Sequence, residues 1–333
     1  MNYKRSWVVL TAVIVLLLGA MAISLKTGYT DTGWRDIAAL LTGVPGGSEV
    51  QVLMDIRLPR VLTAVLSGAA LALSGAILQS IMQNPLADSG IIGINSGAGF
   101  AVLLFMMVSG DSEAGVFLIP FLAFLGGLAV ALAVVSLSYS RKYGLTPMRL
   151  ILNGIASGAG ISALMIVLSL VISSDSYLFT ANFLAGTVWG STWAHVLVLT
   201  AGLAALLPFV IRKIPVLDIL SLNTLNIISL GVNIRRERLL LLISAAGLSA
   251  VSVSVSGGIA FVGLIAPHLA RRLMGTGHRF VLPLSALAGG LLVLTADTAG
   301  RTLFFPSALP AGVMVAIIGA PYFIYILMKS ESR

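Results

Sequence analysis

Arg57 and Arg60 stand on either side of a Leu-Pro step, at the mouth of a stretch from Val61 to Ala87 that carries no charge. Positive charge at the end of a membrane helix ordinarily marks the cytoplasmic side. The side on which this pair lies therefore decides whether it sets topology or binds something. Other side chains able to do chemistry are few. Asp88 follows an Asn84-Pro85 turn, Asp297 and Arg301 sit far down the chain, and His195 has no acidic or histidine neighbour. Such a histidine reads better as interfacial than as a metal ligand. No Walker loop, H-E-x-x-H or nucleophile elbow occurs. With no cysteine there is neither a disulfide framework nor a thiolate metal site. No catalytic residue, metal or cofactor is expected.

The elements that hold these residues follow from composition. The 333 residues are 58% hydrophobic and only 10% charged, with mean hydropathy +1.05, whereas soluble domains carry about 25% charged residues. That is a polytopic membrane protein. The net charge of +8 comes from basic residues scattered between apolar runs, a pattern of topology and not of nucleic-acid binding. Apolar windows of membrane-spanning length cover Trp7–Leu25, Leu58–Met82, Ile91–Val108, Gly115–Ser138, Arg149–Ile172, about Trp193–Ile211, Leu239–Val255, a short one near Gly263–Met274, Phe280–Ala296 and Ala311–Met328. About ten transmembrane helices result, an all-α polytopic fold in one domain, 1–333. The first run has a basic start and an Ala-x-Ala-like step at Ala20 and Ala22, as signal peptides do, but is long enough to span and reads as an uncleaved helix. Placing Lys4 and Arg5 in the cytoplasm puts both termini there. Of the 20 basic residues the outside keeps only Lys26, Arg35, Arg57, Arg60 and Arg301, together with most of the acidic ones. Arg57 and Arg60 thus lie outside, against the rule.

Four stretches are not plain loops. In "MQNPLADSGIIGINSGAGF", Asn84-Pro85 turns the chain and Asp88-Ser89-Gly90 can cap a new helix. Gly93, Gly97 and Gly99 permit close backbone approach, either for tight packing or to line a pathway. In "SYSRKYGLTPMRLILNG", Pro147 after Thr146 suits a helix start. Asn153, one turn further in, needs a hydrogen-bond partner. "YLFTANFLAGTVWGSTW" is too broken by Gly186 and Gly190 to span and fits an interfacial or re-entrant helix with Trp189 and Trp193 at headgroup level. "PVLDILSLNTLNIISLGVNIRRER" interleaves Leu217, Leu220, Leu225, Ile228 and Leu230 with Asp218, Ser221, Asn223, Thr224 and Asn226. It reads as one or two short amphipathic helices on the cytoplasmic face, turned at Gly231. From pattern alone this is either a surface helix or a docking element for a soluble protein.

A proton-coupled carrier would bury an acid near mid-membrane, where its pKa can shift. The spans hold no such residue: Asp297 is near an outer end and Asp88 in a loop. Energy for any transport is therefore expected from a partner, which disfavours a gradient-driven secondary transporter and, more strongly, a membrane enzyme.

Five segments in order, "RLPRVLTAVLSGAALALSGAILQ", "NPLADSGIIGINSGAG", "GGIAFVGLIAPHLARRLMG", "HRFVLPLSALAGGLLVLTADTAGR" and "LPAGVMVAIIGAPYFIYIL", resemble the iron-chelate (siderophore) permeases of ABC importers. These have the type II importer fold of the vitamin B12 importer permease. The resemblance runs from about Asp55 to the C-terminus, with Ser89 where the family usually has proline. It implies ten spans and a second permease subunit, identical or paralogous. It also implies two cytoplasmic ABC ATPases and an extracytoplasmic siderophore-binding protein, in the cytoplasmic membrane of a bacterium. By motif position, Arg57, Arg60 and Arg301 would receive glutamates of that binding protein, for which the planar guanidinium fork is suited. The stretch 215–236 would be the ATPase coupling element, through Leu217, Leu220, Ser221, Leu225, Gly231 and Arg235. Thr146, Pro147 and Met148 fall where the B12 permease has its cytoplasmic gate; Asn84, Pro85 and Asp88 stay, on their own pattern, a turn that either packs tightly or lines a pathway. The cargo implied is a ferric siderophore, with haem or cobalamin as alternatives.

Overall fold

A computed structural model describes residues 3–28, 33–42, 47–109, 115–140, 144–221, 233–304 and 307–331. Each of the ten predicted spans contains one helix. In chain order the helices are α1 (Tyr3–Lys26), α2 (Trp34–Thr42), α3 (Ser48–Val52), α4 (Leu58–Met82), α5 (Ile94–Ser109), α6 (Gly115–Ser138), α7 (Pro147–Ser169), α8 (Ser174–Ala185), α9 (Trp193–Arg212), α10 (Ile214–Leu220), α11 (Ile234–Ser256), α12 (Val262–Met274), α13 (His278–Leu303) and α14 (Ala311–Glu331). Seven described helices are long and apolar enough to cross a membrane; Ile94–Ser109 and Ala311–Ile326 are shorter apolar helices. At 13 residues, α12 rises about 20 Å, less than the roughly 30 Å hydrocarbon core.

The centre of the molecule is α4, which is almost wholly buried. It pairs antiparallel with α13 in a constant register: Arg60 meets Asp297, Gly68 meets Gly289 and Ser80 meets His278. A methyl group at Gly68 would overlap the Gly289 carbonyl, and one at Gly75 the Gly263 carbonyl on α12. Only glycine lets these backbones approach so closely. On its other side α4 meets α11 through buried serines. Ser74 Oγ donates to the Ala245 carbonyl at 2.7 Å and Ser252 Oγ to the Ser67 carbonyl at 3.0 Å. Where lipid cannot drive helices together, such hydrogen bonds and small-residue contacts do.

Local signals in the sequence carry over. Pro59 and Pro147 stand in the first turns of α4 and α7, where a missing N–H costs nothing. α4 ends at Gln83, left-handed at φ 49°. Asn153 finds its partner in Ser138, Nδ2 to Oγ 2.9 Å. Gly97 packs on Gly126 of α6, and Gly186 takes φ +77° to end α8. The structure adds two features. Tyr139–Ser140 pairs antiparallel with Gly144–Leu145 as a minimal hairpin before α7. Between α3 and α4 the chain makes a π-turn over Leu53–Arg57. Helix α7 leaves Met148, Leu152, Ile155, Ile166 and Val167 exposed, a face that belongs against lipid or another subunit.

Candidate functional site

Arg60 with Asp297 marks one end of the α4–α13 pair, and Ser80 with His278 the other. From Arg60 to Ser80 on α4 is about 30 Å at 1.5 Å per residue, the thickness of a bilayer core.

At one end the structure brings the three predicted docking arginines together, and gives each of them partners within the chain. The π-turn aims Arg57 inward; it is 6% exposed and donates from Nη1 to the carbonyls of Leu25 at 2.6 Å and Lys26 at 3.0 Å. Arg301, at the last turn of α13, donates to the carbonyls of Ser24 and Thr27 and to Ser24 Oγ at 2.9 Å. The last carbonyls of a helix have no partner within it, so two guanidinium groups close the C-terminus of α1, where the helix dipole also favours positive charge. Arg60 instead lays its fork side-on against Asp297, Nε to Oδ2 at 2.9 Å and Nη2 to Oδ1 at 2.7 Å. Asp297 is 3% exposed, and Arg301 Nε stands 3.9 Å from it. Arg60 and Arg301 thus share one buried carboxylate, and Arg57 stands with Arg301 on the end of α1.

The turn Asn84–Asp88 lies towards the other end. Asn84 Oδ1 accepts from Leu86 N–H at 2.9 Å, fixing the turn around Pro85. Asp88 caps the short 3-10 helix Ser89–Ile92, accepting from Ser89 N–H at 2.6 Å. Its second oxygen accepts from Phe261 N–H at 3.3 Å, at the N-cap of α12. Burial pushes the Asp88 carboxyl up, against the opposing pull of these N–H groups. Asp88 thus joins two chain reversals. At the predicted gate, Thr146 caps α7 without a side-chain bond, its Oγ1 buried and unpartnered, while Met148 is exposed.

The predicted coupling stretch is redrawn. Helix α10 spans Ile214–Leu220, and Leu225 and Gly231 lie outside the described residues. Leu217 and Leu220 are fully buried in the main core. They face the protein's own helices, and the surface of this segment is carried by residues such as Pro215 and Ser221. Arg235 belongs to the first turn of α11, its stem beside Gly144 of the hairpin. The reason for the inward apolar face is local: Pro215 starts α10 directly after α9, so the helix folds back onto α4, α9 and α13.

Sequence reasoning missed what fastens this segment. Lys213 pairs with Glu237 at 2.8 Å, joining the end of α9 to the start of α11. His278, at the head of α13, meets Asp218 of α10 on one side and Ser80 of α4 on the other. The "HR" in the fourth quoted segment was the available signal. Among the described residues no group of three or more His, Asp or Glu could hold a metal.

The family model of the FecCD transport family matches residues 14–329. The chain is 38% identical to the iron(3+)-hydroxamate import system permease protein FhuG of Bacillus subtilis, covering 98% of each chain. It is 36% identical to the hemin transport system permease protein HmuU of Yersinia pestis, over 95% of this chain and 91% of that one. A solved structure of an inward-facing, metal-chelate type ABC transporter superposes with a TM-score of 0.83 at 31% identity, covering 96% of this chain and 99% of that one. These relatives are transport permeases, not enzymes. On this match in sequence and fold, the chain belongs to the FecCD transport family, the membrane-spanning permease subunits of ABC importers.

Proposed function

We propose that this chain passes a ferric siderophore across the bacterial cytoplasmic membrane, with both termini in the cytoplasm. It works as one of two permease subunits around a shared pathway. Two ABC ATPases drive it from the cytoplasm, and an extracytoplasmic binding protein delivers the cargo to the mouth where Arg57, Arg60 and Arg301 gather. The observation that carries the reading is the end-to-end similarity to permeases named for hydroxamate and hemin import. Iron held in an organic chelate is common to both. The lack of an acid at mid-length in any described spanning helix agrees with a partner as energy source.

In this reading a carboxylate of the binding protein is drawn to the arginines of the outer mouth, and a bidentate arginine contact orients it. Arg60, the most exposed of the three, serves that role from beside Asp297; Arg57 and Arg301 serve it indirectly, by holding α1. At the inner end, the exposed side of α10 around Ser221 and the residues that follow seat the ATPase. ATP closes the nucleotide dimer, the seated segment moves, and the two permease subunits rock about the pathway. The gate at Thr146–Met148 opens and shuts with them. The chain itself does no covalent chemistry.

The experiment is capture of the cognate ABC ATPase by the purified chain, wild type against Ser221→Trp, followed by uptake of ferric hydroxamate into vesicles holding the whole importer. Capture by wild type and its loss in the variant, with ATP-dependent uptake, is the expected result. Uptake driven by a pH gradient in vesicles without ATPase would overturn the reading in favour of a secondary transporter.

A further inference from the structure

His278 is 2% exposed and makes three hydrogen bonds that leave α13 in two directions. Its backbone N–H donates to Asp218 Oδ1 at 2.8 Å and its Nδ1 lies 2.6 Å from the same oxygen. Its Nε2 lies 2.6 Å from Ser80 Oγ on α4. An ionised carboxylate only accepts, so a ring hydrogen sits on Nδ1, while the one hydrogen of Ser80 Oγ is shared between Nε2 and the Ala76 carbonyl at 2.9 Å. The order Ser–His–Asp matches that of a hydrolase triad, but Ser80 and His278 are both buried inside helix packing. What the three residues do hold is position. Asp218 is on the seven-residue α10, whose last carbonyl, at Leu220, also receives Gln83 Nε2 from the end of α4 at 3.0 Å. Leu217 and Leu220 fill the space beneath.

We propose that His278 is the strut that ties α10 to α4 and α13, so that the three move as one body when a cytoplasmic partner displaces α10. It is a positioning residue: at 2% exposure it offers a partner nothing directly. The proposal rests on the reading that α10 and the segment after it seat the ATPase. A charge-assisted pair joined to a buried hydroxyl suits the task, because its geometry is fixed in direction as well as distance. A purely apolar contact between α10 and the bundle would permit sliding.

The chain has no native cysteine, so single reporters are clean. Spin labels at Pro215→Cys, at the end of α10 away from Ser221, and Arg279→Cys, both exposed positions, report the separation of α10 from the head of α13 in the assembled importer, without nucleotide and trapped with ATP and vanadate. In wild type the dipolar broadening should stay the same in both states. In His278→Ala it should change on trapping, by about the 1–2 Å typical of helix shifts at interfaces or more, while ATPase capture persists. Asp218→Asn, which keeps an acceptor for both N–H groups, should behave as wild type. If His278→Ala does not fold, Asp218→Ala cuts the same link from the more exposed side. A wild-type separation that changes on trapping, or strut variants that track wild type, would overturn the proposal. Failure of wild type to capture any ATPase would instead remove the docking reading on which it stands.

Discussion

The ion pair between α4 and α13 permits a quantitative test. Arg60 and Asp297 form a side-on fork with bonds of 2.9 and 2.7 Å, and Asp297 is 3% exposed. Burying two such ions costs several kcal/mol each, recovered only through good geometry, so removal of one partner costs about 3–5 kcal/mol. The two deletions are not equal. Arg60→Met leaves Asp297 near Arg301, whose Nε is 3.9 Å away, and should fall at about 3 kcal/mol. Asp297→Leu leaves Arg60 and Arg301 facing each other without an anion and should cost about 4 kcal/mol. The double variant strands neither charge of the fork. It should be less destabilised than the sum of the single variants by at least about 2 kcal/mol. The assay is reversible unfolding in mixed micelles by titrated denaturing detergent, with ligand-free binding-protein capture measured in parallel. Additivity to within about 0.5 kcal/mol would refute the reasoning. So would an Arg60→Met protein of wild-type stability that had lost capture, since Arg60 would then face outward alone.

Two further outcomes follow from packing. Gly75→Ala, which drives a methyl into the Gly263 carbonyl, should abolish a monodisperse protein on size exclusion, while Gly160→Ala, with open space around it, should be tolerated. Leu220→Asp places a carboxylate in the core and should remove the folded protein from the membrane fraction, whereas Ser221→Asp, at an exposed position, should leave its amount unchanged.

The reading of the sequence succeeded where the cause is local. Asp88 caps the segment that follows it, Pro147 opens α7, Gly186 ends α8, and Asn153 demanded the partner it has in Ser138. Each of these depends on neighbours within about four turns of chain. What the sequence left open depends on residues far away. Arg60 and Asp297 are 237 positions apart, and Ser80 and His278 are 198 apart. Nothing in the run after Arg57 announces that its guanidinium caps α1 and does not project from the surface. The short amphipathic stretch is the instructive case. Its pattern shows that one face of α10 is apolar, but a pattern cannot distinguish a lipid surface, a partner or the protein's own bundle as the place where that face is buried. Here Leu217 and Leu220 enter the bundle.

The closure of α1 by Arg57 and Arg301 has a consequence for biogenesis. Arg57 follows Leu25 by 32 positions and can engage almost as soon as α4 enters the membrane. Arg301 follows Ser24 by 277 positions. At about 5–20 residues per second of synthesis, the first helix waits roughly 15 to 55 s for its second clasp. Throughout that interval the Ser24 and Thr27 carbonyls stand without the guanidinium that later covers them. Helix α1 is therefore fastened in two stages, and a chain interrupted before α13 retains an α1 held by Arg57 alone.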